Sequence, residues 1–288
     1  MLTRAVALSV SLAVAGGAFA QGQPPPPPAP ACTRAELKAA TEAYVAAQTS
    51  GDASNMAFAD KAVYRENMAD VAKGDGLWNK ALPIALSRSF LDPVRCKTFT
   101  EVIVTQGGHP YVIGTRLYVD QRKITRIDSL VTDKGDWLFN ANAYLKYSSA
   151  EDWSPPKKSA RASGQELINA ANSYLDQFSD KFVKTPWGRP CARLEGGAYT
   201  NRDGKKDASC EVGIPPGVLY IVNRDYVVDE EQGVINVFCR FGNSSTGMPD
   251  SHTFRLVNGK LANVHTLSVN LNPNQPSPQA DDNGAIIR

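Results

Sequence analysis

An internal repeat is the strongest constraint on how this chain can fold. Thr33-Arg34-Ala35-Glu36 has the form of a capping box, and it opens a helix with Leu37, Ala40, Tyr44 and Ala47 on one face. Ser163-Gly164-Gln165-Glu166 repeats that form before Leu167, Ala170, Tyr174 and Phe178. Aligning Thr33 with Ser163 superimposes Glu36 on Glu166, Leu37 on Leu167, Ala40 on Ala170 and Tyr44 on Tyr174. Each copy also ends in a hairpin. Ser251 to Val257 and Lys260 to Val269 flank Asn258-Gly259, a pair that tolerates positive φ at both positions, while Tyr111 to Val119 and Ile124 to Thr132 flank Asp120 to Lys123. Lys123-Ile124 then aligns with Lys260-Leu261, and Asp128 with His265. A helix followed by antiparallel hairpins, twice over, predicts an α+β chain of two tandem cone-like units. Each would pack helices on a curved antiparallel sheet, with a pocket between them.

The units are expected over 32–153 and 163–270, joined by a linker over 154–162 that carries Pro155-Pro156 and followed by a flexible tail over 271–288. Ahead of them, residues 1–20 read as a secretory signal peptide: Arg4, the apolar run Ala5 to Ala15, and Ala18-Phe19-Ala20 as a cleavage site. Residues 21–31 hold a proline run that favours an extended spacer. No later stretch offers the roughly 20 apolar residues of a membrane helix, so the chain is expected to be secreted with no membrane span. A formal net charge of +2, with basic residues scattered among acidic ones, argues against nucleic acid as a partner.

The five cysteines leave at least one without an intrachain partner. Pairing Cys32 with Cys96 and Cys191 with Cys210 keeps each bridge inside one half, and Cys239 reads as a small buried hydrophobe. No C-x-x-C or H-x-x-x-H spacing points to a metal, and nothing in the sequence demands an organic cofactor. Asn243-Ser244-Ser245 is the only N-glycosylation sequon.

Longer stretches resemble a known group. Tyr111-Val-Ile-Gly-Thr-Arg-Leu117, Gly135-Asp-Trp-Leu-Phe-Asn-Ala141, Arg193-Leu-Glu-Gly-Gly197, Tyr226-Val-Val-Asp-Glu230 and Pro249-Asp-Ser-His-Thr-Phe-Arg255 resemble fungal secreted proteins of the SnoaL-like class. That class falls within the nuclear transport factor 2-like, ketosteroid isomerase-like fold. The resemblance implies two tandem copies of that fold. It also implies a range of functions, from cofactor-free isomerases, dehydratases and cyclases to binding modules that catalyse nothing.

Candidate chemistry concentrates in the second copy. A two-residue turn at Asn258-Gly259 pairs Val257 with Lys260, and counting back pairs His252 with His265 on one face, beside Phe254 and Asn263. Two paired histidines suit proton transfer, with Asp250 as orienter; equally, they suit a structural pair at the edge of a core. Arg193, Glu195 and Tyr199 surround Gly196-Gly197, where small residues permit close backbone approach. Glu195 is a second acid/base candidate, and Tyr199, Arg193 and Arg224 are candidate substrate ligands. In the first copy Gly114 falls near the place of His252, leaving space above the sheet, and Asp128 is expected to form a buried salt bridge with Arg116. Asp229 is expected in a surface ion pair. The reading that follows is a cofactor-independent lyase, isomerase or cyclase acting on a small, partly apolar natural product or aromatic compound. The alternatives are a non-catalytic ligand-binding protein and an extracellular interaction module with filled pockets. A homodimer is the oligomeric option kept open.

Overall fold

The computed structural model describes residues 32–287, apart from 212, 215, 273 and 275. The signal peptide and proline spacer expected over 1–31 lie outside the described residues. The first unit runs α1 (Arg34–Ser50), β1 (Phe58–Glu66), β2 (Ala69–Asp70), β3 (Ile84–Asp92), β4 (Lys97–Val104), β5 (Tyr111–Asp120) and β6 (Lys123–Thr132). Helix α2 (Ala141–Ala150) leads to the second unit: α3 (Gly164–Asp176), β7 (Trp187–Glu195), β8 (Ala198–Tyr199), β9 (Ile221–Asp229), β10 (Val234–Phe241), β11 (Met248–Val257) and β12 (Lys260–Ser268). Both capping boxes form, at Thr33/Glu36 and Ser163/Glu166.

The two sheets have the same order, β2-β1-β6-β5-β4-β3 and β8-β7-β12-β11-β10-β9. They are mixed and not wholly antiparallel as expected, because β1 and β7 run parallel to β6 and β12. The central hairpins are also alike. Gln121 and Arg122 form the first turn with φ of 46° and 64°, and Asn258 and Gly259 form the second with φ of 50° and 70°. The first turn is therefore a two-residue turn as tight as the second.

Each hairpin carries a bulge three residues past its turn. Tyr118 pairs with Arg126 and Val119 with Ile124, leaving Thr125 over; Arg255 pairs with Asn263 and Leu256 with Leu261, leaving Ala262 over. The extra residue flips every side chain beyond it to the other face. This overturns the expected His252–His265 pair: His252 stands opposite Thr266, and His265 opposite Thr253.

One face of each sheet packs on its helix, around Leu37, Tyr44 and Val102 in the first unit and Leu167, Tyr174 and Val237 in the second. The other faces pack on each other through Phe90, Phe99, Leu130, Val227, Val234 and Phe238, with α2 filling one end beside Ile103, Leu194 and Leu267. The space expected above Gly114 is taken: a Cβ there would stand 2.8 Å from Phe99 and 3.4 Å from Leu267.

Polar groups cross this seam in places the sequence did not indicate. Arg116, fully buried, bonds Asp225 and Asn236 of the second unit instead of Asp128, which is held by Arg126 and Tyr118. Asp229, expected at the surface, is 0% exposed and grips Arg34 through both oxygens at 2.8 and 2.9 Å. The expected disulfides Cys32–Cys96 and Cys191–Cys210 are both present, and Cys239 is a buried free thiol. The segment read as a flexible tail is anchored: β13 (Gln279–Ala280) pairs with β14 (Ile286–Ile287), Tyr147 donates to the Asn283 carbonyl, and the Tyr199 amide donates to Gly284. No described helix is long and apolar enough to cross a membrane.

Candidate functional site

Strand register builds a polar patch on the helix-facing side of the second sheet. Its rows run straight across neighbouring strands: Cys239, Asp250 and Ser268; then Val237, His252, Thr266 and Glu195; then Phe254, Val264 and Arg193. Helix α3 covers them with Tyr174, whose ring lies 5.4 Å from His252 and 5.0 Å from Phe254. Cys239, Asp250, His252, Thr266 and Tyr174 are all at most 3% exposed.

Buried polar groups are nearly always paired, so their exceptions mark sites. Here Asp250 Oδ2, His252 Nδ1, Thr266 Oγ1 and Arg193 Nε and Nη1 lack a hydrogen-bond partner within the protein. The Asp250 Oδ2 to His252 Nδ1 separation is 3.2 Å and the Arg193 Nε to Glu195 Oε2 separation 3.1 Å, both without the alignment of a hydrogen bond. Asp250 keeps one bond, from the Ser268 hydroxyl at 3.0 Å. Burial pushes the Tyr174 phenol up, with the Arg193 charge pulling the other way. The Cys239 thiol is driven well up by burial and then by Asp250. Cys239, Asp250 and His252 place ligand atoms within 4.8 Å of one another, a sulfur, oxygen and nitrogen set that a transition ion could also use.

Arg193, Glu195 and Tyr199 line an open cleft of ≈ 450 Å³, bounded on its other side by Gly284, Ala285 and Ile286. Glu195 accepts from the Trp137 indole at 2.7 Å. The Gly196-Gly197 turn allows the close approach expected of it, since a Cβ on Gly196 would stand 2.2 Å from the Trp137 carbonyl.

The first unit carries the same rows with the chemistry removed. Val102, Ile113 and Val131 replace Cys239, Asp250 and Ser268, and Thr115, Ser129 and Glu66 replace His252, Thr266 and Glu195. Every polar group there is satisfied. Tyr44 donates to Thr115 at 2.8 Å, Thr115 shares a bond with Ser129 at 2.9 Å, and Glu66 accepts from Tyr64 and from the Leu77 amide.

His265 and Asn263 fall on the opposite face, inside the seam. The His265 ring lies between two carboxylates, Nδ1 3.0 Å from Glu101 and Nε2 2.6 Å from Glu151. Burial lowers its pKa, but Glu151 and Glu101 outweigh that and raise it to about 9. Burial likewise pushes Glu101 up, yet His265 and Arg88 bring it down to about 2. The unit is an imidazolium clamped by two carboxylates, a structural tie and not a free base. Asn263 hydrogen-bonds Glu151 there.

The other expected residues divide. Phe254 forms a wall of the patch. Arg224 shares its face but is tied to α3, by Asn172 at 2.9 Å and Asp176 at 2.7 Å. Tyr199 borders the cleft, donating to Glu151 at 3.1 Å and stacking on Tyr147. Asn243 sits in an exposed loop, where its side chain caps the Ser245 and Thr246 amides. Sequence reasoning missed Tyr174, Cys239, Thr266, Glu101 and Glu151 as site or seam residues. The aligned tyrosines Tyr44 and Tyr174 were the available signal for the first of these.

A family described as a domain of unknown function (DUF8021) matches residues 160–268, which is the second unit. No curated protein and no solved structure matches the chain.

Proposed function

We propose that the second unit is a secreted, cofactor-independent acid/base catalyst for a small, partly apolar molecule, and that the first unit is its filled structural partner. The observation that carries this reading is the set of unpaired, buried polar atoms on β7, β11 and β12 beneath α3, set against a first unit whose equivalents are all satisfied. His252 moves the proton. Asp250, 3.2 Å from Nδ1, orients the ring. Arg193, 3.1 Å from Glu195, offers two nitrogens without an aligned hydrogen bond to developing oxyanion charge, and Glu195 stands at the cleft as a second carboxylate. Phe254, Val237 and Val264 supply the apolar wall. The resemblance to SnoaL-like proteins supports the same reading, as does a pair of disulfides suited to an oxidising compartment.

The test is native mass spectrometry of the secreted protein for a copurified molecule, followed by turnover assays on that molecule. His252→Ala should lower turnover by roughly 10²–10⁴ with the fold retained, the usual loss for a removed general base. Full turnover by His252→Ala defeats the proposal. A copurified molecule that is bound and never transformed shows a binding protein instead. Metal analysis of the same sample separates proton chemistry from a transition ion held by Cys239, Asp250 and His252.

A further inference from the structure

We propose that the cleft at the open end of the inter-unit seam binds a small aromatic carboxylate, at a site separate from the buried polar patch of the second unit. The two sheets have identical hairpin registers and pack face to face in a near-twofold relation. Positions related by identical hairpin registers, such as Asp128 and His265 or Phe238 and Glu101, should have similar surroundings, and at the seam's two ends they do not.

At one end the chain fills the space itself. The segment after α2 inserts Trp153, whose ring lies 4.9 Å from His265 and 5.6 Å from Phe90, beneath the Arg88 guanidinium at 4.5 Å. The same segment inserts Glu151, which accepts from His265 and from the Trp153 indole at 2.9 Å. One aromatic ring and one carboxylate thus close that end.

At the other end the described residues of the second unit supply no counterpart. After β12 the chain turns away to α2 and β8, where Asn140 bonds the Ala280 carbonyl and Tyr147 the Asn283 carbonyl. The residues standing where His265, Arg88, Glu101, Leu267, Arg255 and Asn263 stand are Asp128, Asp225, Phe238, Leu130, Tyr118 and Arg126. All six line a cleft of ≈ 310 Å³, within the range of small-ligand sites.

Charge selects the ligand. Both aspartates in the wall are already neutralised, Asp128 by Arg126 and Asp225 by Lys97 and Arg116. Arg240, also in the wall, has one hydrogen bond, to the Gly247 carbonyl at 2.8 Å, and no carboxylate within 4.0 Å among the described residues. An unneutralised guanidinium beside the apolar surface of Phe238, Leu130 and Met68 fits a ring bearing one carboxylate.

The experiment is calorimetric titration of the full secreted chain with 1-naphthoate and with neutral 1-naphthamide. Naphthoate should bind saturably at one site, and naphthamide more weakly by roughly tenfold or more, as expected when a charge-assisted bond is lost. Arg240→Gln should remove that preference, and Ser244→Trp, at the rim, should block both ligands. His252→Ala should leave the titration unchanged, so that failure here and failure of the catalytic reading can be told apart. The inference is overturned by absence of saturable naphthoate binding, by equal binding of acid and amide, or by unchanged binding in both Arg240→Gln and Ser244→Trp.

Discussion

Asp92 and Asp229 are twofold mates across the seam: Asp92 accepts from the Val228 amide and Asp229 from the Leu91 amide, each at 2.9 Å. Both carboxylates are 0% exposed, and each closes the end of an edge strand against the other unit. Such reciprocity is the geometry of an isologous dimer interface, here contained within one chain. Each also receives a guanidinium: Asp229 takes Arg34 through both oxygens at 2.8 and 2.9 Å, while Asp92 takes the more exposed Arg95 through one, at 3.1 Å. Asp229→Ala and Asp92→Ala should each destabilise by about 1–3 kcal/mol, the cost of leaving a buried amide without its acceptor, with Asp229→Ala the larger because a two-oxygen pair to Arg34 goes with it. Urea denaturation of each variant checks the order. A smaller effect at Asp229 than at Asp92 would contradict it.

His265 makes the seam sensitive to alkali. Its folded pKa of about 9 lies above the ordinary 6.5, so the stability it contributes is complete below about pH 6.5 and is lost as pH rises through about 9. The shift corresponds to about 3 kcal/mol. Glu101, held down at about 2, acts at the other extreme, losing its contribution only as pH falls from about 4.5 towards 2. Unfolding midpoints from pH 6 to pH 10 should fall in the parent and stay flatter in His265→Gln, which lacks the titrating ring. Parallel curves would refute this assignment.

What the sequence disclosed was local. Capping boxes at Thr33 and Ser163, the Asn258-Gly259 turn and two disulfides inside their halves depend on residues a few positions apart or on chain-closure entropy. The histidine pairing failed on one residue: Ala262 bulges, and no side chain near it announces that, although Thr125 bulges identically in the first copy. His252 and Asp250 share a face with Arg193 and Glu195 because each pair is spaced by two along its strand, which the sequence displays. His265 was assigned to the wrong face by that slip. Arg116, Asp229, Glu101 and Glu151 find their partners more than 100 residues away across the seam, a packing that neither periodicity nor spacing encodes.

The two disulfides should differ in weight. Cys32–Cys96 ties the start of α1 to the β3–β4 turn at a sequence separation of 64, and Cys191–Cys210 closes a separation of 19. On chain-closure entropy the first contributes about 4 kcal/mol and the second about 3 kcal/mol. Denaturant midpoints of Cys32→Ala/Cys96→Ala and Cys191→Ala/Cys210→Ala should rank in that order. The second variant should in addition loosen β7, which carries Arg193 and Glu195, and so reduce turnover more than stability. If it retains full turnover of an identified substrate, the bridge has no part in holding the site.

The first unit provides the design for testing whether the second sacrifices stability for its polar patch. Cys239→Val, Asp250→Ile, His252→Thr and Ser268→Val together install the residues found at Val102, Ile113, Thr115 and Val131. The new threonine would take the place of Thr115, beneath Tyr174 and beside Thr266, where Tyr44 and Ser129 already satisfy its equivalent. Replacing buried charge by packed apolar groups of similar volume is commonly neutral or stabilising by about 1–4 kcal/mol. The fourfold variant should therefore unfold at higher denaturant than the parent while losing all turnover, with the His265 tie untouched and the pH profile of stability unchanged. A variant that folds but is less stable than the parent would show that the unpaired atoms at His252, Asp250 and Thr266 are satisfied in solution, and that the patch is a structural core.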